Sequence, residues 1–253
     1  MIGLGHIGLP TAVGLSELGW KVTGLELDHK KVSAILTGTS PFFEPGLTKA
    51  LKKQLETGNF TVTSEYSQAI PDADVVFVCV DTPTQKDGWT DMSNVESAAK
   101  MVAKNIVNPV LVVEKSTAPV RTANKIYETM TKHCPPGALF DVATNPEFLR
   151  EGRALEDFRH PDRIVIGVQT DRARKILTEI YSSLLNPNES DLKPQFFVTD
   201  LNTSELIKHA ANAFLSTKIS FINVVANICE KTGADVKDVA EAIGSDPRIG
   251  RAF

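Results

Sequence analysis

Cysteine is scarce. The 253 residues hold three, Cys79, Cys134 and Cys229. They are widely spaced and odd in number, which excludes a disulfide framework and offers no zinc-binding spacing, so no metal site is expected. A reducing, cytoplasmic compartment is the simplest expectation. No stretch approaches the ~18 uninterrupted apolar residues of a membrane span. No basic segment precedes an apolar one, so nothing reads as a secretory signal. Excess positive charge is also missing. Lys plus Arg is 27 against 31 for Asp plus Glu, a formal net charge of −4 with pI near 5.8. That balance does not suit a protein that neutralises nucleic-acid phosphates. Internal repeats and low-complexity tracts are absent. What remains is 42% hydrophobic and 23% charged residues, ordinary for a globular protein of one or two domains with a real core.

Short apolar, β-branched runs alternate with helical periodicity. Strands are predicted at 22–27, 60–63, 75–80, 110–114, 140–144 and 164–168, and helices at 9–18, 28–36, 46–56, 95–106, 122–132 and 172–184. This β-α-β-α order predicts an α/β fold, a Rossmann-like, doubly wound and mostly parallel sheet. The unbroken run Val75-Val76-Phe77-Val78-Cys79-Val80 fits a strand covered on both faces. The polar stretch 186–191 reads as a surface loop.

The pattern changes after Asp200. Residues 203–231 read as one long helix, with Asn202 as cap, Glu205 completing a capping-box-like start and Gly233 just past its end. It is apolar on more than one face, through Leu206, Ile207, Phe214, Leu215, Ile219, Phe221, Ile222, Val224, Val225 and Ile228. Such a helix is buried on several sides or shared with a partner chain. A shorter helix follows, with Val236, Val239, Ala240 and Ile243 as its stripe, Asp235 as cap and Gly244 as stop. The expected division is a cofactor domain over 1–200 and a helical region over 201–253. Both ends look unfinished. Only Met1 and Ile2 precede the glycine turn at Gly3, where a central strand of about five residues should stand. The chain therefore reads as an internal piece of a longer protein.

Gly3-Leu4-Gly5-His6-Ile7-Gly8 is a G-x-G-x-x-G string followed at once by a helix and then by a strand ending at Glu26. Glycines admit a pyrophosphate to the backbone, the helix start supplies N–H groups, and the acid accepts from a ribose hydroxyl. A tight turn and a surface acid would look the same in isolation. A carboxylate at Glu26 repels a 2′-phosphate, so NAD is favoured over NADP, a preference that Lys30 and Lys31 weaken. Lys208 and Asn212 share a face of the long helix, either as a solvated patch or as part of a site. Glu114-Lys115-Ser116-Thr117 and 145–152 each follow a strand, where α/β sheets place ligands; either could equally be a polar strand end or helix start. Two carboxylates four apart in the second string could serve as base and anchor. His160-Pro161-Asp162-Arg163 could be only a turn, and Arg248 only a surface cation.

Taken in order, Gly3 to Ala12, Glu44-Pro45-Gly46-Leu47, Val80-Asp81-Thr82-Pro83-Thr84, Glu114 to Thr117, Asn145 to Gly152, Pro161 to Gly167, Lys208 to Phe214 and Asp246 to Gly250 form a specific series. On these strings the sequence resembles the UDP-glucose/GDP-mannose 6-dehydrogenase family, and Asn145 to Gly152 its UDP-glucose branch. The resemblance implies oxidation of a sugar C6 alcohol to a carboxylate, UDP-glucose to UDP-glucuronate, with two NAD reduced and a cysteine thioester on the way. It implies that Lys208 and Asn212 stabilise oxyanions and hold water, that Glu147 is the hydrolytic base, and that Thr117 holds the water or the reacting oxygen. Phe148, Leu149, Arg150, Glu151, Lys208, Asn212 and Arg248 would face the sugar nucleotide, Arg248 across a dimer contact. Gly3, Gly5, His6, Ile7, Gly8, Glu26, Lys31, Thr82, Thr117 and Glu151 would face the cofactor. The long helix would form a homodimer. His6 replaces a common aromatic. The family's Gly-Gly-x-Cys-Phe segment and C-terminal sugar-nucleotide domain are not in the 253 residues, which alone are expected not to complete the oxidation. Two other readings stand beside this one: a β-hydroxyacid dehydrogenase, which also places Lys and Asn four apart on a long helix, and a non-catalytic NAD-binding or dimerisation module.

Overall fold

The computed structural model describes residues 1–186 and 193–251. Most of the stretch 186–191 thus lies outside the described residues. The chain divides into two compact units, Met1–Leu206 and Ile207–Phe253.

In chain order the first unit contains α1 (Gly8–Glu17), β1 (Val22–Leu25), α2 (His29–Leu36), α3 (Leu47–Glu56), β2 (Phe60–Thr63), α4 (Tyr66–Ala69), β3 (Val75–Val78), α5 (Ser93–Asn105), β4 (Val110–Glu114), α6 (Thr122–His133), β5 (Phe140–Thr144), α7 (Ala154–Arg159), β6 (Arg163–Gly167), α8 (Asp171–Ile180), α9 (Ser182–Leu185) and β7 (Gln195–Thr199). It ends with the start of α10 (Leu201–Thr232). β1 pairs with β2, and β3 to β7 lie side by side in sequence order. The pairs β1–β2, β3–β4, β4–β5 and β6–β7 are parallel; β5 and β6 meet antiparallel through the single pair Thr144 and Gly167.

The two halves are joined by the first residues of the chain. Ile2 bridges Leu25 on one side and Val78 on the other. Leu25 donates to the Met1 carbonyl and Gly3 to that of Leu25, while Ile2 donates to Phe77 and Cys79 to Ile2. Two residues thus occupy the place of the central strand that such a sheet calls for, and the order is that of a doubly wound sheet with its chain reversal beside Ile2.

Alternation along the strands explains the layers. Phe77, Leu111 and Val113 pack with Leu9, Val13, Leu155 and Phe158 on one face. Val76, Val78, Val110 and Val112 pack with Val95, Val102, Ile126 and Met130 on the other. Successive strand residues point to opposite faces, so strands apolar at every position need helices on both sides. At Gly14 the Phe158 ring occupies the space a Cβ would take, which sets how closely α1 approaches α7.

Several bounds differ from expectation. β1 and β3 each stop two residues early, where the chain leaves the sheet to line a cavity. The predicted helix 172–184 is broken at Tyr181, whose ring joins the core. The half-exposed edge strand β7 and the short α7 were not predicted. The long helix begins at Leu201, so Asn202 lies inside it. Asp200 is the residue that caps, accepting the Thr203 N–H at 2.9 Å and its hydroxyl at 2.6 Å. Glu205 does not close a capping box; its carboxylate is used elsewhere.

The second unit comprises the rest of α10 and α11 (Val236–Gly244). Asp235 caps α11 by accepting the Lys237 N–H at 2.7 Å. Phe214, Phe221, Ile222 and Ile243 line an apolar groove of about 540 Å³. Lys218 reaches across to the Ile249 carbonyl at 3.1 Å.

Candidate functional site

The glycine turn is pressed onto the end of β3. Gly3 has φ +84°, and a Cβ there would lie 2.6 Å from the Cys79 carbonyl oxygen; at Gly8 it would strike the Gly3 carbonyl. At Gly5 the nearest atom would be Asp81 Oδ1 at 4.0 Å. The turn is therefore closed beneath and open above Gly5. α1 starts at Gly8 with no side-chain cap and no acid in its first turn, which leaves its N–H groups and positive end for an anion.

Glu26 stands at the end of β1. Its Oε2 accepts the Leu4 N–H at 3.0 Å, and its Oε1 accepts the N–H groups of Leu27 at 2.9 Å and Asp28 at 3.0 Å. Lys31 lies 3.8 Å away. A cavity of about 180 Å³ opens between Gly3, Gly5, Glu26, Lys31, Tyr66 and Asn94. An open glycine floor, an uncapped helix start and an anchored carboxylate fit a dinucleotide without a 2′-phosphate. His6 and Ile7 are outside this lining; the His6 ring lies on Phe42 with centroids 4.1 Å apart.

A second cavity, of about 70 Å³, lies past the ends of β4 and β5. Glu147, Phe148, Leu149 and Arg150 line it together with Lys115, Asn145, Arg163 and Tyr181. Asn145 is its keystone. Its Oδ1 accepts from Lys115 Nζ at 3.0 Å and from the Tyr181 hydroxyl at 2.5 Å, and its Nδ2 donates to the Val165 carbonyl at 2.9 Å. Lys115, Asn145 and Tyr181 are buried, and each needs such partners. Two residues on, the buried Glu147 accepts the Leu149 N–H at 2.6 Å. The Arg163 guanidinium stacks on Phe148, 3.9 Å from the ring centroid. Arg150 is held bidentate by Asp157 at 2.9 and 2.6 Å. Burial alone would raise the Asp157 carboxyl; the hydrogen bonds and charge of Arg150 overcome it and lower the pKa. Glu151 is exposed and outside this lining.

Thr82 and Thr117 meet between the strand ends, the Thr82 hydroxyl donating to the Thr117 carbonyl at 2.7 Å. The first cavity lies past the carboxyl ends of β1 and β3, the second past those of β4 and β5 and beside the start of the antiparallel β6. The Cys79 thiol is buried 3.2 Å from the Met1 sulfur and pushed up to about 12, chiefly by burial, which makes it a poor nucleophile.

The roles of Asn145, Tyr181 and Glu205 had no local signal in the sequence. Glu205 is 3% exposed, and its oxygens accept the N–H groups of Arg121 at 2.6 Å and Ala123 at 2.8 Å, at the start of α6. Glu114, equally buried, is raised well above the usual carboxylate range, first by burial and then by the charge of Glu205, with Lys115 opposing. Its Oε1 has no hydrogen-bond partner.

The remaining candidates belong to the second unit. Lys208 and Asn212 sit on α10, the first buried and the second exposed. Arg248 lines the apolar groove and is paired with Asp246 at 2.6 Å.

Residues 1–185 match the NAD binding domain of the UDP-glucose/GDP-mannose dehydrogenase family, and residues 202–253 match its central domain. The chain belongs to that family. A UDP-glucose 6-dehydrogenase of Bacillus subtilis is 42% identical over 253 residues, covering 100% of this chain and 56% of that protein. One from Rhizobium meliloti is 45% identical over 256 residues, covering 100% of this chain and 57% of that protein. Among solved structures, a UDP-glucose dehydrogenase from Pyrobaculum islandicum superposes with TM-score 0.92 at 38% identity, over 99% of this chain and 57% of that one. A GDP-mannose dehydrogenase from Pseudomonas aeruginosa does so with TM-score 0.88 at 32% identity, over 97% of this chain and 56% of that one. The chain spans about half the length of the curated relatives it matches. The glycine turn and Glu26 therefore lie in the family's NAD-binding domain. No helix among the described residues is long and apolar enough to cross a membrane.

Proposed function

We propose that this chain is the cofactor-binding and central part of an NAD-dependent dehydrogenase that oxidises the C6 alcohol of a UDP-sugar, UDP-glucose to UDP-glucuronate. The observation that carries the reading is the wall Glu147-Phe148-Leu149-Arg150 beside a buried Lys115–Asn145–Tyr181 lock, past the carboxyl ends of β4 and β5, while the glycine turn and Glu26 line a cavity past those of β1 and β3. The names of the relatives supply the substrate.

Bound NAD would take the hydride from the sugar C6. The chain's own groups bind, orient and move protons. Glu26 orients the ribose and rejects a 2′-phosphate. Gly5 and the start of α1 receive the pyrophosphate. Glu147, a buried carboxylate, serves as the base that activates water, and Thr117 orients that water. Phe148, Leu149 and Arg150 line the sugar-nucleotide pocket, with Glu151 at its rim. Lys208 and Asn212 stabilise developing oxyanions. Arg248 reaches the substrate from a second copy, the apolar α10 forming the dimer. The enzyme is cytoplasmic.

The test is turnover by the full-length gene product. UDP-glucose with NAD should yield UDP-glucuronate and two NADH per sugar. Turnover of small β-hydroxyacids with none of UDP-sugars would replace this reading by the hydroxyacid one, and NAD binding without any turnover would leave a binding module.

A further inference from the structure

The loop that carries Thr117 runs from the end of β4 to α6 and is tied at both ends. At its start the Ser116 hydroxyl donates to the Val80 carbonyl at 2.8 Å, and the Thr117 carbonyl accepts from Thr82. Its far end is less ordinary. Arg121 has φ +81°, and among the described residues it alone lies in the left-handed region without being glycine. A residue with a Cβ avoids that region unless its surroundings hold it there. α6 begins directly after it with no cap from its own N-cap side chain.

The missing cap comes from far along the chain. Glu205 places one carboxylate oxygen on the Arg121 N–H and the other on the Ala123 N–H. A negative charge at this end of a helix is favourable, and a carboxylate buried this deeply requires such donors. The hydrogen bonds thus fix the backbone on both sides of Thr122. They close the loop against the start of α10.

We propose that Glu205 is a positioning residue for the reaction. By holding the left-handed exit of the loop, it sets where Thr117 stands. This rests on the role given to Thr117 above. A glutamine in its place keeps the volume but turns an amide NH₂ against one of the two N–H donors. An aspartate is one methylene short and keeps one bond of the two.

The experiment compares E205Q, E205D, T117A and the double variant E205Q/T117A in the full-length enzyme, with UDP-glucose and NAD. Expected is a native circular-dichroism spectrum for E205Q and a kcat lower by about tenfold or more, the scale on which small misplacements act. The KM for the sugar nucleotide should stay within about twofold, and E205D should recover part of the loss. Because Glu205 acts through Thr117, adding E205Q to T117A should lower kcat by less than about twofold further. A wild-type kcat in E205Q, or losses that multiply in the double variant, overturns the proposal while Thr117 keeps its role. A wild-type kcat in T117A removes the role of Thr117, and the proposal falls with it. Should E205Q not fold, E205D and its combination with T117A are judged by the same criteria.

Discussion

The phenol of Tyr181 donates to Oδ1 of Asn145 at 2.5 Å, across 36 positions of sequence. Tyr181 stands in the break between α8 and α9, and Asn145 opens the segment that carries Glu147. The break is thus what lets the ring reach the strand end. Tyr181→Phe removes the donor and leaves Lys115 on the same oxygen. The expected cost is about 1 kcal/mol, or about 2–4 °C in Tm for a domain of this size. A thermal melt beside the wild type checks it; an unchanged Tm would show that the phenol adds nothing to the lock.

Glu26 is held by three backbone N–H groups and lines the cavity beside the glycine turn. Glu26→Ala should weaken NAD binding about 10- to 100-fold, the loss of hydrogen bonds to a charged acceptor. It should also narrow the preference for NAD over NADP. Titration with both cofactors, followed by protein fluorescence or calorimetry, measures the two effects together. An undiminished NAD affinity would remove Glu26 from the site.

Gly5 and Gly8 make a contrasting pair. A methyl at Gly8 runs into the Gly3 carbonyl, so Gly8→Ala should both unsettle the fold, by about 1–3 kcal/mol as overpacking does, and abolish cofactor binding. At Gly5 the nearest atom stands at 4.0 Å, so Gly5→Ala should leave the melting temperature alone and still weaken NAD binding. Equal melting temperatures for both variants would contradict this picture of the turn.

Glu114 and Glu205 are buried acids that cannot share charge cheaply. Glu205 has the helix start; Glu114 is raised well above the usual carboxylate range by burial and by the Glu205 charge, and so holds its proton more tightly. A carboxyl raised in the folded state gives stability that is complete below its unfolded pKa near 4.3 and is lost as pH rises towards the folded value. Glu114→Gln stays neutral throughout. The variant should therefore gain on the wild type as pH rises from about 5 towards the raised folded value, each kcal/mol appearing as about 2–4 °C in Tm. Melts across that range test it, and parallel curves would refute it.

The features that were legible in the sequence are those a short window determines. β3 is apolar at every position and β4 at all but its last, Glu114, so their burial on both faces follows from composition, and the doubly wound sheet from the alternation of strands and helices. The glycine turn is contiguous, and its spacing to Glu26 encodes one helix and one strand. Helix α11 showed its stripe, its cap and its stop. By contrast, β7 is a half-exposed edge, with Phe197 and Val198 each 44% exposed, and such a strand lacks a clean alternation. α7 is shorter than two helical turns and has no period to read. Asn202 looked like a cap because its side chain suits one, yet Asp200 suits it equally and is where the helix starts. The lock on Asn145 and the clamp by Glu205 join residues 36 and 82 to 84 positions apart, and no local pattern specifies such a meeting.

The join between β5 and β6 has a mechanical meaning. One backbone pair, Thr144 with Gly167, spans it, and the Asn145 amide adds a single stitch to Val165. Every other strand boundary from β3 to β7 is a ladder of four or five pairs. The sheet is therefore a stiff panel on either side of a thin seam, and the residues that would greet a sugar nucleotide stand along that seam. The same asparagine that lines the pocket also bonds across the seam, above a core that Ala143 and Ile166 share.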